Sequence, residues 1–361
     1  MTKGEELYLA GALDEAWDVL QEEAKSGQGR AMYLIGQYYV QGHGHILRNP
    51  VEGSAWFAKG SELDDLACVG LHFFTKPSEA DDRETFLQTI SRVESEAAAG
   101  GALALAVLSY VYRLGMPPYV GVNAEKGLSY LKKAAELGFW QAENDLGLLY
   151  LNGKELEKNE TLGAALLEKA ASKEIGQSEY HMAFCYMNGI GVEQNPGKGI
   201  SYYQKSWYHG NGKAAVALGM RYETGNSVRK DEKKAYLLYK KAADAGETEA
   251  MAHAGDCLYE GRGARKDRTA ALRLYRKSAG AGDAYALTRL GQIAFEKQEW
   301  TEAFSCFLHA AKRRFPTAQY LTGLCLIKGL GVAENRENGI LWLRQAAQNG
   351  SREAAQMLEL L

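Results

Sequence analysis

The sequence predicts an all-α protein in which antiparallel helix pairs follow one another as a repeat array. Three observations predict it: a repeat of constant length, a helical spacing of apolar residues, and glycines at the expected helix ends. A window resembling LGxxYxxG recurs, and its second residue, here called the marker, falls at positions 36, 147, 183, 219, 255, 291 and 323. From 147 to 291 the step is 36 residues four times running. A constant period of about 20–50 residues is typical of a solenoid.

The first helix of each repeat carries the marker. Glycine markers such as Gly147 and Gly219 have no side chain, so we expect the partner helix to approach closely there. Weaker copies of the window place two further markers at Gly70 and Ser109.

The second helix of each repeat is predicted from the segment that follows the loop. GLSYLKKAAELG from Gly127 and AYLLYKKAADAG from Ala235 carry apolar or small residues at steps of three and four, which is a helical period. An Asn or Asp precedes most of these segments, where its side-chain oxygen can accept from the free amides of the first turn. The predicted caps are Asn159, Asn195, Asp231, Asp267 and Asn335. Glycines at 27, 138, 210, 246, 282 and 350 are predicted to end the second helices in a left-handed conformation.

The repeat pattern also predicts the organisation of the chain. We expect nine helix pairs over residues 30–350, preceded by a partial pair over 1–29 and followed by a capping helix over 351–361. Terminal caps are expected because each pair buries its apolar face only against its neighbours. Two units are irregular: 66–101 lacks the GxG loop, and 283–315 is shortened.

Composition excludes several other classes of protein. The 361 residues are 46% hydrophobic and 24% charged with a net charge of −3, which argues against a disordered chain. The five cysteines form no CxxC motif, so we expect reduced thiols rather than disulfides or a zinc site. The longest uncharged stretch, 97–112, is shorter than the roughly 20 residues of a membrane span. Acidic residues within 1–17 argue against a secretory signal, and we expect a cytoplasmic protein without membrane contact.

The repeated residues resemble a known family. The pattern A-x-x-x-L-G-x-x-Y-x-x-G-x-G-V, the Asn/Asp cap and A-x-x-x-Y-x-K-A-A-x-x-G are similar to the Sel-one-like repeat (SLR), a relative of the tetratricopeptide repeat. The resemblance covers residues 30–350 and implies a right-handed superhelix, an α-solenoid of antiparallel helix pairs. One branch of the family is secreted, cysteine-rich and associated with β-lactam binding. The paired cysteines of that branch are absent here, so we do not expect that activity.

The same resemblance implies where a partner would bind. In tetratricopeptide relatives the outer face of the first helices lines the concave side, and the positions three before, one after and four after each marker should point there. These positions are unusually apolar and aromatic, which leaves two interpretations open: an exposed groove for a protein or peptide, or a part of the core. The expected partner-binding residues are Tyr110, Asn144, Leu148, Leu151, Asn152, Tyr180, Phe184, Met187, Asn188, Met220, Glu223 and Tyr259.

No sequence motif indicates catalysis, a metal or a cofactor. The GxG loops lack the strand and the glycine spacing of a phosphate loop, and His43 and His45 have no further ligands nearby. Basic segments are interleaved with acids, which disfavours nucleic acid. The sequence therefore predicts a non-catalytic adaptor that holds a protein or peptide segment in its concave groove.

Two alternatives to the adaptor stay open. One is a small-molecule-binding or hydrolytic protein, which would need a pocket formed only in three dimensions. The other is a self-associating scaffold, because residues 1–100 hold 17 acidic and 8 basic residues whereas residues 221–320 hold 13 and 19. For the oligomeric state, we expect a monomer or a weak, salt-sensitive self-association.

Overall fold

The computed structural model describes residues 1–41, 46, 50–62, 83–115 and 120–361. These residues form 20 α-helices and no strand, so the predicted all-α solenoid of helix pairs is confirmed. The chain divides into two compact units, Met1–Ala214 and Ala215–Leu361.

The first unit is a stack of consecutive antiparallel helices. Its helices are α1 Lys3–Ala10, α2 Leu13–Lys25, α3 Gly29–Gln41, α4 Pro50–Glu62, α5 Arg83–Ala98, α6 Ala102–Leu114, α7 Ala124–Glu136, α8 Trp140–Asn152, α9 Glu160–Ala171, α10 Gly176–Asn188 and α11 Pro196–Tyr208.

The second unit is built in the same way. Helix α12, Gly212–Thr224, begins at the last residues of the first unit and continues into the second. The helices that follow are α13 Glu232–Asp244, α14 Thr248–Glu260, α15 Arg268–Gly280, α16 Ala284–Glu296, α17 Trp300–Lys312, α18 Pro316–Lys328, α19 Arg336–Gln348 and α20 Arg352–Glu359.

The helix ends follow the predicted chemistry. Gly210, predicted to end α11, takes a left-handed φ of 86°, and Gly189, which follows α10, takes a left-handed φ of 70°. Helix α11 begins at Pro196, and the side chain of Asn195 accepts from the amide of Lys198 at 3.0 Å. The other four predicted caps make the equivalent bond, and Asn123 caps α7 in the same way. The predicted N-caps are therefore confirmed.

Glycine markers allow the two helices of a repeat to pack closely. A Cβ at Gly219 on α12 would lie 2.7 Å from Cζ of Tyr239 on α13, and that tyrosine is fully buried. The ring fills the space that a marker side chain would take. A larger residue at this position would push the two helices apart.

The N-terminal helices make contacts that the repeat pattern does not predict. Tyr8 of α1 is buried against Trp140 with ring centroids 5.9 Å apart, and the indole nitrogen of Trp140 donates to the carbonyl of Tyr8 at 3.1 Å. Arg30 at the start of α3 pairs with Glu5 at 3.0 Å and with Glu96 at 3.1 Å. Helix α1 is therefore held by residues more than 100 positions further along the chain.

The shortened unit has a short connection between its helices. Three residues, 297–299, join α16 to α17, whereas seven residues, 189–195, join α10 to α11. Gln298 takes a left-handed φ of 63° in this turn. The loss of four loop residues accounts for the step of 32 between markers 291 and 323.

Several residues singled out from the sequence lie outside the described ranges. They are His43, His45, Cys68 and the marker Gly70. Of the helices in the described ranges, none combines the length and the apolar character needed to cross a membrane.

Candidate functional site

Five of the predicted residues line one cavity on the neighbouring first helices α8 and α10. The cavity has a volume of about 360 Å³, and we call it the α8–α10 groove. Its predicted lining residues are Leu148, Leu151, Asn152, Tyr180 and Phe184. The sequence did not single out four others, Lys158, Glu160, His181 and Ile190, three of which come from the loops and the start of α9.

The walls of the α8–α10 groove combine fixed and exposed apolar side chains. The ring of Tyr180 packs on Tyr203 of α11 with centroids 5.6 Å apart, which holds it in place. Phe184 is 49% exposed although it is one of the largest apolar residues of α10. Leu148 and Leu151 are half-buried beside it. An exposed phenylalanine next to a partly filled apolar cavity is a surface suited to an apolar side chain of another molecule.

The polar residues of the groove divide into a charged pair and a neutral histidine. Lys158 and Glu160 form an ion pair at 2.6 Å, so their charges compensate each other. Nδ1 of His181 lies 3.0 Å from Oδ1 of Asn144, and burial lowers the pKa of His181 to about 4. The imidazole is therefore neutral near pH 7.

Asn152 and Asn188 occupy equivalent positions one repeat apart and are both exposed. Nδ2 of Asn188 donates to the carbonyl of Phe184 at 2.8 Å, which uses one of its amide hydrogens and orients the side chain. A primary amide can both donate and accept, as the backbone of an extended peptide does.

The structure corrects the prediction for Asn144 and Met187. Asn144 is 1% exposed, and its Oδ1 accepts from Ser178 on α10 at 3.2 Å. The position three before the marker thus faces the first helix of the next repeat rather than solvent. Met187 is buried and packs against Gly199 of α11, so the position four after the marker faces the partner helix in this repeat. Both side chains belong to the interior.

Tyr110 lies on α6, away from the α8–α10 groove. It is 49% exposed and lines a second cavity of the first unit, with a volume of about 520 Å³. Helix α8 contributes to both cavities, through Asp145 in the larger and Leu148 in the smaller.

Three predicted residues belong to the second unit. Met220 on α12 is half-exposed. Glu223 accepts from the hydroxyl of Tyr239 at 2.9 Å and forms an ion pair with Arg262. Tyr259 on α14 lies under the guanidinium of Arg268 at 5.0 Å. Glu223 is therefore engaged in polar contacts within this unit. Met220 is the exposed apolar residue of the three.

The second unit also holds a buried acid at a position, one after the marker, that the repeat pattern predicts to face the concave side. Asp256 follows the marker of α14 and accepts from the hydroxyls of Tyr275 at 2.6 Å and Tyr285 at 2.5 Å. Nε of Arg289 donates to the same carboxylate at 2.8 Å. These three donors satisfy the buried carboxylate, which links α14 to α15 and α16.

The thiols and potential metal ligands of the described part of the chain are dispersed. Cys185, Cys257, Cys306 and Cys325 are free, and burial raises the pKa of Cys185 and of Cys325 to about 11. Such thiols are protonated near pH 7 and are poor nucleophiles. Within the described ranges no group of three His, Cys, Asp or Glu side chains is arranged to hold a metal ion.

Comparisons with known proteins agree with this architecture. The family model for the Sel1 repeat matches residues 29–65, 102–139, 140–174, 176–211, 212–247, 248–283 and 316–351, which is more than half of the chain. A solved protective antigen of uropathogenic Escherichia coli that displays an SLR fold is 26% identical with a TM-score of 0.57, over 95% of this chain and 74% of that one. A Sel1 repeat protein from Oxalobacter formigenes is 20% identical with a TM-score of 0.56, over 95% and 89% of the two chains. A search of curated proteins gave no significant match.

Proposed function

We propose that this protein, which belongs to the Sel1 repeat family, is a non-catalytic adaptor whose α8–α10 groove holds an apolar segment of a partner protein. Sel1 repeat proteins generally mediate protein–protein interactions, and their scaffolds are generally non-catalytic. One observation carries the proposal for this chain: Phe184 stands half-exposed beside Leu148 and Leu151 at a cavity between two consecutive first helices.

The size and rigidity of the groove support this function. A volume of about 360 Å³ falls within the roughly 300–1,000 Å³ of sites that bury a ligand. Because Tyr180 is already held by Tyr203, little side-chain entropy is lost when a partner packs on it. Phe184 is the proposed anchor, since buried aromatic contacts contribute most to the affinity of interfaces.

The polar residues support an extended rather than a helical partner. Asn152 lines the groove and Asn188 stands at the equivalent position one repeat further on, and their amides are proposed to bond to the backbone of the bound segment. The adaptor is proposed to act in the cytoplasm as a monomer or with weak, salt-sensitive self-association. As an adaptor the protein positions the bound partner, and any catalytic activity belongs to the partner.

A peptide-display experiment tests the proposal with random peptides in place of the partner protein. A phage-displayed library of such peptides is panned on the whole chain, and the affinity of enriched peptides is measured by fluorescence polarisation. The test variant is Phe184→Asp. The matched control is Leu162→Asp on α9, because Leu162 is also half-exposed, at 40%, and lies in the same unit but outside the groove.

Enriched peptides are expected to carry an apolar or aromatic residue and to bind the wild type and Leu162→Asp equally. Their affinity for Phe184→Asp is expected to fall at least about tenfold, since the loss of an anchoring contact costs about 2 kcal/mol. Urea unfolding of all three proteins controls for folding. Equal binding by a folded Phe184→Asp variant, or no enrichment of any peptide, would refute the proposed groove.

A further inference from the structure

A second cavity of the first unit is a separate, mostly apolar site. It lies between α3, α6 and α8, has a volume of about 520 Å³, and is called the α3–α8 cavity. Its walls include Tyr33, Phe57, Leu103, Val107 and Leu131, and the half-exposed Tyr110 is also among its lining residues. An apolar cavity of this size with a few converging polar groups is the usual form of a small-ligand site.

One of these polar groups is an unsatisfied hydroxyl. Ser109 is 2% exposed, and its Oγ has no hydrogen-bond partner among the described residues. Burial of a hydroxyl without a partner is unfavourable, because the group loses its hydrogen bonds to water. Ser109 is also the marker of its repeat, a position that is Gly or Ala in every other described copy. The other described repeats pack without a hydroxyl at this position, so helix packing does not require one. The hydroxyl of Ser109 is specific to the repeat that lines this cavity.

The second polar group is the carboxylate of Asp145, which lines the same cavity. Asp145 accepts from Nδ2 of Asn144 at 3.2 Å. The nearby guanidinium of Arg113 binds Glu155 through two bonds, of 2.8 and 2.9 Å, so the charges of Arg113 and Glu155 compensate each other. Burial raises the pKa of Asp145 to about 6, which shows that its surroundings disfavour the charge. Among the described residues, Asp145, Arg113 and Glu155 together carry one net negative charge near pH 7, and Asp145 shares the attraction of Arg113 with Glu155.

We propose that the α3–α8 cavity binds an ammonium or guanidinium group carried on an apolar stem. The cation pairs with the carboxylate of Asp145, and the hydroxyl of Ser109 supplies a further polar contact inside the cavity. The stem packs against the apolar walls, chiefly Tyr33, Leu103 and Tyr110. This site does not depend on the proposed adaptor role of the α8–α10 groove.

The charge of the lining selects a cation over other ligands. An anion would lie beside the carboxylate of Asp145, and Arg113 of the lining is already hydrogen-bonded to Glu155. A neutral apolar molecule would pack against the walls but would add no ion pair to the carboxylate. A cation on an apolar stem both packs against the apolar walls and pairs with the carboxylate of Asp145.

The source of the cation is either a free amine or a lysine or arginine side chain of a bound protein. Both present the same chemistry to Asp145, and two arms of one experiment distinguish them. The first arm uses 4-phenylbutylamine, with 4-phenylbutanol as its neutral analogue and 4-phenylbutyrate as its anionic analogue. The second arm uses a pentapeptide with a central lysine between alanines, and the same peptide with norleucine in place of lysine.

Isothermal titration calorimetry with the whole chain at pH 7.5 measures all five probes. The amine is expected to bind at least about tenfold more tightly than the alcohol, since hydrogen bonds to charged groups contribute more than neutral ones. The carboxylate probe is expected not to bind. Tighter binding of the lysine peptide than of the free amine assigns the cation to a partner side chain, and the reverse order assigns it to a small molecule.

Two variants connect the binding to the named groups. Asp145→Asn is expected to abolish the preference for the amine over the alcohol. The matched control is Glu157→Gln, which removes an exposed charge and is expected to retain that preference. Ser109→Ala is expected to weaken amine binding severalfold, and it should fold normally because Ala183 occupies the equivalent position. Circular dichroism and urea unfolding check the fold of each variant.

Three results overturn the proposal. They are equal binding of the amine and the alcohol, a preference for the amine that survives Asp145→Asn, and no binding of the amine or the lysine peptide at millimolar concentration. If Asp145→Asn does not fold, the wild-type comparison of the amine with the alcohol still decides the charge preference. In that event, unchanged amine binding by Ser109→Ala overturns the role assigned to the hydroxyl.

Discussion

Replacement of the second glycine in a GxG loop by alanine should destabilise the protein more than replacement of the first. In the last loop, Gly329 and Gly331 both take a left-handed φ, of 64° and 73°. A Cβ at Gly329 would make an ordinary contact, 3.6 Å from Cβ of Glu334. A Cβ at Gly331 would overlap the carbonyl oxygen of Trp300, the first residue of α17, and lie 2.7 Å from the amide nitrogen of Thr301.

Gly331→Ala is expected to introduce two unfavourable contributions to stability, whereas Gly329→Ala introduces one. Gly329→Ala adds the strain of a left-handed residue with a Cβ, which is about 1–2 kcal/mol. Gly331→Ala adds the same strain and forces the loop or the start of α17 to move, which costs about 1–3 kcal/mol more. We therefore expect unfolding free energies lower by about 1–2 kcal/mol for Gly329→Ala and about 2–5 kcal/mol for Gly331→Ala.

Urea unfolding followed by circular dichroism measures both values, and hydrogen exchange of the α17 amides locates the effect. The difference between the two variants isolates the overlap, because their backbone conformations are nearly the same. A Gly331→Ala variant that loses no more stability than Gly329→Ala would show that the loop adjusts freely and would refute the reasoning. The equivalent collision recurs between Gly263 and Glu232, so that pair offers an independent repetition.

Two further predictions concern caps and pH. Asn195→Ala removes the bond to the amide of Lys198 and is expected to cost about 1 kcal/mol of unfolding free energy, whereas Asn195→Asp should retain most of it because Asp231 and Asp267 cap other helices. Thermal unfolding of both variants checks this, and an equal loss in both would contradict it. The pKa of His181 is lowered to about 4 in the folded chain from an ordinary value of 6.5, so only the unfolded chain takes up a proton between those values. Stability should therefore fall as the pH drops from 6.5 towards 4, by about 2–4 kcal/mol from this residue. Urea unfolding at several pH values should show a smaller fall in His181→Gln, and parallel curves would contradict the assignment.

The local structure of this protein was predictable because its determinants are local. Asn195 caps α11 through an amide three residues away, and Gly189 ends α10 through its own backbone conformation. The constant step between markers fixes which helices pair, since neighbouring repeats bury each other's apolar faces. The exposure of Phe184 agrees with one of the two interpretations of its repeat position, the exposed groove.

Other features depend on residues that are distant along the chain. Asn144 and Met187 stand at repeat positions predicted to be exposed, yet Asn144 bonds to Ser178 on the next first helix and Met187 packs against α11. A small rotation of a helix decides which of two adjacent positions is buried, and the repeat pattern does not resolve it. Ser109 was visible as a marker that is not glycine, but only the structure shows that its hydroxyl lines a cavity with Asp145.

The sequence by itself determined the helical repeat, its caps and its turns, because each depends on residues within one 36-residue period. Tertiary structure decided which first-helix residues face solvent and where the cavities form. It also brought Tyr8 against Trp140 and directed the two side-chain hydrogen bonds of Arg113 to Glu155 rather than to Asp145. Those outcomes depend on the packing of several repeats at once, which no single period contains.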